Sequence, residues 1–282
     1  MEFVETKRGG GGGSRSRFWR EMRASYAFVE RNFFLTKRYW GWEVAFLIFN
    51  VTSSLSVMYI GKAQGAGQEQ LILYLGIGTV VWAYLRSVFG NISEMIVWER
   101  WEGTIEYTMM APISRLTHML GVALFAIIYG ILRTALLLGA LALFFEIDLS
   151  QANAWGALLI ILVGSLSFVG VGIMAAVLPL LFTERGEEMT FIISSLLLLV
   201  SGVYYPISVL PGWMQAAARI SPATYVLEGM RATILDGRPA GALGHYLLPM
   251  AVIGLITIPL GMLVFTTVER YAKRTGRLKR SG

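Results

Sequence analysis

Two arginines inside apolar stretches are the residues of this chain best placed to act on a charged ligand. Arg86 and Arg133 each interrupt a long apolar run, and Glu94 is the one acidic residue that the sequence places well inside such a run. A central arginine costs at least about 2.5–3.5 kcal/mol to insert in a bilayer, so it marks function or a specific partner. Because Glu94 cannot serve both, we expect one arginine or both to bind backbone carbonyls, water, lipid headgroups or an anionic substrate. Arg133 is the stronger candidate for a substrate contact, because no carboxylate is expected at its depth.

Residue patterns that would support catalysis or metal binding are missing from the sequence. It has no His-Glu-x-x-His pair, no Gly-x-Ser-x-Gly turn and no cysteine. The phosphate-binding Gly-x-x-x-x-Gly-Lys-Ser/Thr loop is also missing, since Gly61-Lys62 is followed by Ala63. We therefore predict that the chain is not itself an enzyme and that it holds no cofactor or metal.

The composition is typical of a protein that crosses a membrane several times. Hydrophobic residues make up 55% of the chain and charged residues 15%, and the apolar residues come in blocks rather than at the spacing of soluble helices. About 20 consecutive apolar residues cross a bilayer as a helix. The sequence predicts six such spans, at residues 42–60, 71–97, 119–145, 154–182, 189–210 and 246–268.

Positive charge is distributed unevenly between the loops. Of the 24 lysines and arginines, eighteen lie in the two terminal segments and in the loops 98–118 and 183–188, whereas the alternate loops hold four. Cytoplasmic loops of membrane proteins carry this excess. We expect a multi-pass protein of the cell membrane with both termini in the cytoplasm. The net charge of +6 is then explained without nucleic acid.

Two segments before the first span differ in character. Residues 1–15 form a flexible tail that contains the glycine run at 9–14, and residues 16–41 mix aromatic and basic residues at helical spacing. The second pattern predicts an amphipathic helix on the cytoplasmic face, as a lipid anchor, a collar that contacts a cytosolic partner, or both. Residues 269–282 form a basic cytoplasmic tail.

The loop between the second and third spans contains a short helix, predicted to begin near Thr104 and to stop at Pro112. Its apolar residues Ile105, Met109 and Met110 suggest an exposed edge, which is costly in water and favours a partner surface. Packing of the same residues on the protein's own spans is an equal alternative.

The apolar span that ends near residue 210 is followed by a proline-punctuated helical hairpin at residues 206–240. Pro206 and Pro211 break the helix, and amphipathic helix then continues. Non-helical backbone at this depth must be packed against protein or line a cavity. Tyr204 and Tyr205 lie at the level of an aromatic belt, and Glu228 is spaced to pair with Arg231.

Three regions together resemble the ABC type-2 permeases, the membrane halves of ATP-driven exporters. They are the amphipathic N-terminal helix, the segment from Glu102-Gly103-Thr104-Ile105-Glu106 to Ala111-Pro112-Ile113-Ser114, and the hairpin. The hairpin residues that carry the resemblance are Gly202, Pro206, Pro211, Trp213, Pro222, Tyr225 and Arg231.

This resemblance implies an all-α fold of six transmembrane helices at residues 42–268, with an interface helix, a coupling helix at 102–115 and an outer re-entrant hairpin. It also implies a homodimer that docks two separate ATPase subunits, which bind ATP and Mg²⁺, and that exports a lipophilic or lipid-linked substrate. The implied coupling residues are Glu102, Gly103, Thr104, Glu106 and Pro112. The implied substrate path holds Arg86, Arg133, Tyr204 and Tyr205, below a hairpin formed by Pro206, Pro211, Trp213, Pro222, Tyr225, Glu228 and Arg231.

The substrate class stays open at this point. Short loops without an added domain favour a small lipophilic drug, as in drug-resistance exporters. Export of a lipid-linked polysaccharide or teichoic acid would need aromatic residues along the channel, and the candidates are Trp82, Tyr84, Tyr129, Tyr204 and Tyr205. A stand-alone channel or ion-coupled carrier is a third class, which usually shows broken helices in paired halves of the chain.

Overall fold

The computed structural model describes residues 13–65, 69–145, 150–182 and 184–276, with side chains from residue 18 onward. All regular structure in these ranges is helical. Most of the predicted tail 1–15 and the last six residues of the predicted tail 269–282 lie outside them. The remainder of both tails is helix except for a turn at Thr275 and Gly276, because the first helix begins at Gly13 and the last continues to Arg274.

Twelve α-helices follow one another within the described ranges. They are α1 Gly13–Arg38, α2 Trp40–Lys62, α3 Glu69–Ser93, α4 Met95–Trp101, α5 Ile105–Met110, α6 Arg115–Ala142, α7 Ala154–Ala175, α8 Val177–Leu181, α9 Gly186–Val200, α10 Gly212–Ile220, α11 Pro222–Ile234 and α12 Gly244–Arg274.

Five helical segments of the described chain are long and apolar enough to cross a membrane. They are α2, α3, α6, α7 with α8, and α12. The predicted span 189–210 is not one continuous helix, because α9 ends at Val200 and its 15 residues rise only about 22 Å, less than the roughly 30 Å of a hydrocarbon core. The predicted span 71–97 also ends early, at Ser93, where the chain turns at Glu94 and restarts as α4.

Helix α3 lies at the centre of the bundle and contacts α2, α6, α7 and α11. Its Tyr84 is buried against Gly130 of α6, and the Tyr84 hydroxyl is hydrogen-bonded to Ser165 of α7 at 2.6 Å. Helices α7 and α12 are also closely packed, since Ser167 donates to the Met250 carbonyl. Small residues at these contacts let the helices approach α3 closely, so most of its apolar side chains are buried.

Helix α1 packs against the first turns of α6. Ser25 donates a hydrogen bond to the carbonyl of Thr117, and the Ser25 carbonyl approaches Gly121 so closely that a Cβ there would lie 2.6 Å from it. The other side of α1 exposes large apolar residues, among them Phe18, Trp19, Met22, Tyr26, Phe33 and Phe34. The predicted amphipathic character is present, within a helix that runs from residue 13 to 38 instead of 16 to 41.

Helices α10 and α11 form a hairpin that enters the bundle. Along α7, Val226 lies beside Gly164 and Thr233 beside Gly156, so α11 follows α7 for about 12 Å. The tip of the hairpin is Ser221, whose hydroxyl is hydrogen-bonded at 2.8 Å to Ser201 at the end of α9. We call the end of the bundle that holds Lys62 and Gly244 the hairpin end, and the opposite end the α5 end.

Arg231 of α11 fixes the turn that follows α9. Its guanidinium donates to the carbonyls of Gly202 and Val203 at 2.9 and 2.7 Å, and lies 3.5 Å from the centre of the Tyr74 ring. Gly202 has a φ of +71°, which glycine adopts most readily. The expected pairing of Glu228 with Arg231 is not found: both residues are described, and no ion pair within 4 Å joins them, because the arginine binds backbone carbonyls instead.

We predict that Gly78→Ala destabilises the protein by about 1–3 kcal/mol, because its Cβ would meet backbone that cannot move freely. An added Cβ at Gly78 would lie 2.1 Å from the Val203 carbonyl oxygen. The measurement is thermal unfolding of the purified protein in detergent. Gly139→Ala is the matched control, since nothing lies within 4 Å of a Cβ there. An equal effect of both substitutions would contradict the proposed close approach.

Candidate functional site: the α5 surface and the intramembrane arginines

The side of α5 that faces the bundle is buried. Ile105, Met109 and Met110 were expected to form an exposed apolar edge. Ile105 and Met109 are each only about 1% exposed, so this expectation is wrong for these two residues. These two side chains pack on the protein's own helices, which was the alternative that the sequence left open.

Basic side chains from two other helices hold the end of α5. Arg115 of α6 donates to the carbonyls of Thr108 and Met109, and Lys273 of α12 donates to the Met109 carbonyl at 2.8 Å. Both cations also bind the carboxylate of Glu269, at 2.9 and 2.7 Å. Cations are favourable at a helix C-terminus, where carbonyls lack helical partners. The α5 helix is therefore tied to α6 and α12 and should move with them.

The opposite side of α5 projects into solvent. Tyr107 is 80% and Met110 81% exposed, and the neighbouring residue Glu106 is exposed as well. Tyr107 and Met110 are three residues apart, so they lie on one face of a helix. Sequence analysis missed Tyr107, although its spacing from Met110 was a usable signal. We call Glu106, Tyr107 and Met110 the projecting face.

Helix α5 spans Ile105–Met110 and is therefore shorter than the predicted coupling helix at 102–115, although it lies between Thr104 and Pro112 as expected. Thr104 precedes the first helical residue, Gly103 has a φ of +72°, and Ala111 leaves the helical conformation just before Pro112. Glu102 does not belong to the projecting face. It accepts a hydrogen bond from Tyr39 at 2.9 Å, which raises the pKa of Tyr39 above its ordinary value.

A buried carboxylate, Glu99 of α4, joins α1 to α6. It binds Arg31 of α1 at 2.8 Å and His118 of α6 at 3.1 Å. Burial alone raises the pKa of Glu99, but the hydrogen bonds and charges of His118 and Arg31 outweigh it and hold the pKa below its ordinary value of 4.5. The sequence showed none of these contacts, since the three residues are far apart in the chain.

Arg133 has an acidic partner that sequence analysis did not recognise. Its guanidinium lies 3.8 Å from Glu43 of α2, and Tyr129 donates a hydrogen bond to the same carboxylate. The expectation that no carboxylate matches its depth is thus wrong. Glu43 was not considered in the sequence analysis, and it meets Arg133 because α2 and α6 are offset along their axes. A substrate contact of Arg133 stays a prediction, without this supporting reason.

Arg86 is exposed on α3, where its guanidinium lies over the ring of Phe191 of α9 at 5.4 Å. Glu94 forms no ion pair with it within 4 Å, although both side chains are described. Arg86 and Arg133 therefore lie in two different grooves, one between α3 and α9 and one between α2, α3 and α6.

The aromatic residues of the hairpin region hold different positions. Tyr204 is partly exposed, whereas the hydroxyl of Tyr205 donates to the Leu199 carbonyl at 2.6 Å. Tyr225 donates to the carbonyl of Arg219 at 2.8 Å, so it closes the α10–α11 corner. Trp213 is exposed at the start of α10, behind Pro211, and Pro222 is the first residue of α11.

We predict that Glu99→Gln lowers the stability by about 1–3 kcal/mol at pH 7, because Arg31 and His118 lose their common charged partner. The pKa of Glu99 is lowered by folding, so its contribution is present above pH 4.5 and is lost as the pH falls through the lowered value. The difference in melting temperature between the wild type and the variant should shrink below pH 4.5. Glu106→Gln, at an exposed position, is the control and should show no difference at either pH. A pH-independent difference for Glu99→Gln would contradict the assignment.

Comparison of the sequence with known proteins identifies the family of this chain. The sequence profile described as ABC-2 type transporter matches residues 23–235. Curated relatives include the inner membrane transport permease YadH of Escherichia coli K12, and proteins of the same name from Escherichia coli O157:H7 and Shigella flexneri. Each is 23% identical over 185 residues, which cover 66% of this chain and 70% of the relative. The chain belongs to the ABC-2 type transporter family, as a multi-pass membrane permease.

Proposed function

We propose that the chain is the permease subunit of an ABC exporter, in which two copies dock two separate ATPase subunits. The observation that carries the proposal is α5: one face is tied to the bundle and the other projects from it. Because α5 is bound to α6 and α12, a partner that displaces α5 would displace these two helices with it. Met and Tyr are also enriched in protein–protein interfaces, where large side chains fill pockets of the partner.

The arrangement at the α5 end favours docking through the projecting face. Glu106 adds a negative charge beside Tyr107 and Met110, which suits a cleft with basic residues. Glu102 and Gly103 hold the turn that precedes α5 in place, because Glu102 binds Tyr39 and lies 3.6 Å from Arg38. In this proposal α1 is the second contact and its aromatic face is the lipid anchor.

Arg86 is the residue that best supports a substrate path. An arginine exposed on the side of an apolar helix would be costly against lipid, so this side should face a second subunit or a polar path. Phe191 contacts Arg86 on this side, and Tyr204 is partly exposed and close enough to Arg86 to feel its charge. We therefore propose that the substrate passes along the groove between α3 and α9, below the hairpin.

A small lipophilic or drug-type substrate fits this chain better than a glycan. Of the five aromatic residues that could line a glycan channel, Trp82 and Tyr84 are buried in the core and Tyr129 is bound to Glu43. Tyr205 donates its hydroxyl to backbone. Of the five, Tyr204 alone is both partly exposed and near Arg86. One aromatic residue cannot line a channel for a glycan.

The topology that we propose has six passages through the membrane. Helix α9 enters from the α5 end and stops within the bundle, and the segment up to the hairpin completes the fifth passage. Both termini then lie on the side of α5, in the cytoplasm, as the distribution of basic residues indicates. The hairpin end faces outward.

We predict that Tyr107→Ala with Met110→Ala removes most of the ATPase activity that co-purifies with the tagged chain, by about tenfold or more, because two exposed anchor residues are lost. Activity is measured with MgATP after purification from native membranes. Trp213→Ala, an equally exposed aromatic at the hairpin end, is the control and should retain the activity of the wild type. If the wild type itself carries no ATPase, a stand-alone carrier or channel replaces the proposal.

The sidedness is checked with single cysteines, since the chain has none of its own. A cysteine at Ala242 should react with an impermeant maleimide added to intact cells, because this exposed residue belongs to the hairpin end. One at Thr275, which follows α12, should react only after the membrane is opened. The reverse pattern would place α5 outside and would refute docking to a cytoplasmic ATPase.

A further inference from the structure

A cavity of about 280 Å³ lies between α1, α4 and the turn that leads to α5. This volume is far above the roughly 10–15 Å³ that one water molecule requires. The cavity is lined by the two arginines Arg31 and Arg38, the two carboxylates Glu99 and Glu102, and the apolar side chains of Phe34 and Trp98. It is separate from the projecting face and from the groove that holds Arg86.

The wall carries two positive and two negative side chains, but only one of the two ion pairs that they form is close. Arg31 and Glu99 are 2.8 Å apart, whereas Arg38 and Glu102 are 3.6 Å apart and the Arg38 side chain is 65% exposed. Among the described residues, Glu99 Oε2 and Arg31 Nε have no hydrogen-bond partner. Both of these atoms are buried, so the charged groups left open to a ligand are those of the looser pair, Arg38 and Glu102, and a ligand with a cationic and an anionic group suits them.

The aromatic residues around the cavity locate it at a membrane surface. Trp98 is 41% exposed and packs with Tyr39 and Trp101, whose ring centres are 5.8 and 5.6 Å from its own. The cavity lies where α1 meets α2 and where α3 has just ended, that is, at the end of two apolar helices. Tryptophan and tyrosine are enriched at this level of a membrane protein.

We propose that this cavity binds the headgroup of a zwitterionic phospholipid. The phosphate binds Arg38 and Arg31, and the ammonium group lies between the face of Trp98 and the carboxylate of Glu102. The acyl chains follow Phe34 toward the hydrocarbon region. An ammonium over a tryptophan ring is attracted by its quadrupole, and an arginine recognises phosphate oxygens with its planar fork. The site does not depend on the proposed function, because it requires neither an ATPase nor a transported substrate.

The carboxylates of the wall decide between lipid classes. An anionic phospholipid such as phosphatidylglycerol would bind the arginines but would bring no cation to Glu102, whose pair with Arg38 is loose. Two carboxylates would then lie close to an added negative charge in a partly buried site, which is unfavourable. Phosphatidylethanolamine supplies the missing cation with the same phosphate.

The test is native mass spectrometry of the detergent-purified full chain, after equilibration with equal amounts of phosphatidylethanolamine and phosphatidylglycerol that have identical acyl chains. We expect the wild type to retain phosphatidylethanolamine preferentially. Arg38→Gln and Trp98→Leu should each lower this retention by about fivefold or more. The matched controls are Arg23→Gln on the exposed side of α1 and Trp42→Leu on α2, neither of which lines the cavity. Both controls should retain the lipid as the wild type does.

Each outcome decides the proposal. Equal retention of the two lipids, or an equal loss in the control variants, would overturn it. A competition with soluble glycerophosphoethanolamine separates a lipid site from a site for a free phosphate ester. If the soluble compound displaces the lipid only at a large excess, the lipid is the ligand, and if it binds while no lipid is retained, the proposal fails. Monodisperse elution of every variant shows that a lost lipid does not reflect misfolding.

Discussion

Carbonyl oxygens at the ends of short helices need partners where water is scarce, and basic side chains supply them throughout this protein. Arg231 binds the two carbonyls that follow α9, Arg100 binds the Leu180 carbonyl at the end of α8, and Arg115 and Lys273 bind that of Met109 at the end of α5. A helix that stops inside a membrane protein leaves several carbonyls without helical partners. The short and broken helices of this fold depend on these contacts, since their own length provides little stability.

The same interaction explains why the two ends of the protein differ. At the hairpin end the arginine comes from the hairpin itself, so the turn and α11 form one unit. At the α5 end the basic residues come from the long helices α6 and α12, and Glu269 holds both of them in place. The first arrangement attaches the turn after α9 to α11, whereas the second connects a surface helix to the bundle.

Much of the architecture could be predicted because glycine and proline mark its boundaries. The end of α5 before Pro112 and the helix breaks at Pro206 and Pro211 follow from restrictions on backbone dihedral angles, which act locally. The projecting face was only partly predicted, because a helix of six residues is too short for its periodicity to define a face. Met110 was recognised and Tyr107 was not.

Contacts between distant segments were the part that sequence patterns could not provide. Arg133 meets Glu43 because α2 and α6 are offset along their axes, and residue counting within each span contains no information about that offset. Likewise, the hairpin arginine was expected to pair with Glu228 on its own helix. It donates instead to two backbone carbonyls, one from each terminal nitrogen of the guanidinium.

Helix α12 has a mechanical consequence that follows from its length. Its 31 residues rise about 46 Å, from the neighbourhood of Gly156 at one end to the salt bridge with Arg115 at the other. A rotation of about 5° imposed at the Arg115 end would displace the far end by roughly 4 Å if the helix were rigid. Pro249, near the hairpin, and Pro259, at the middle of the helix, interrupt its hydrogen bonds, so bending concentrates between the hairpin and the midpoint. Helix α12 thus has a rigid segment next to α5 and a more flexible segment toward the hairpin.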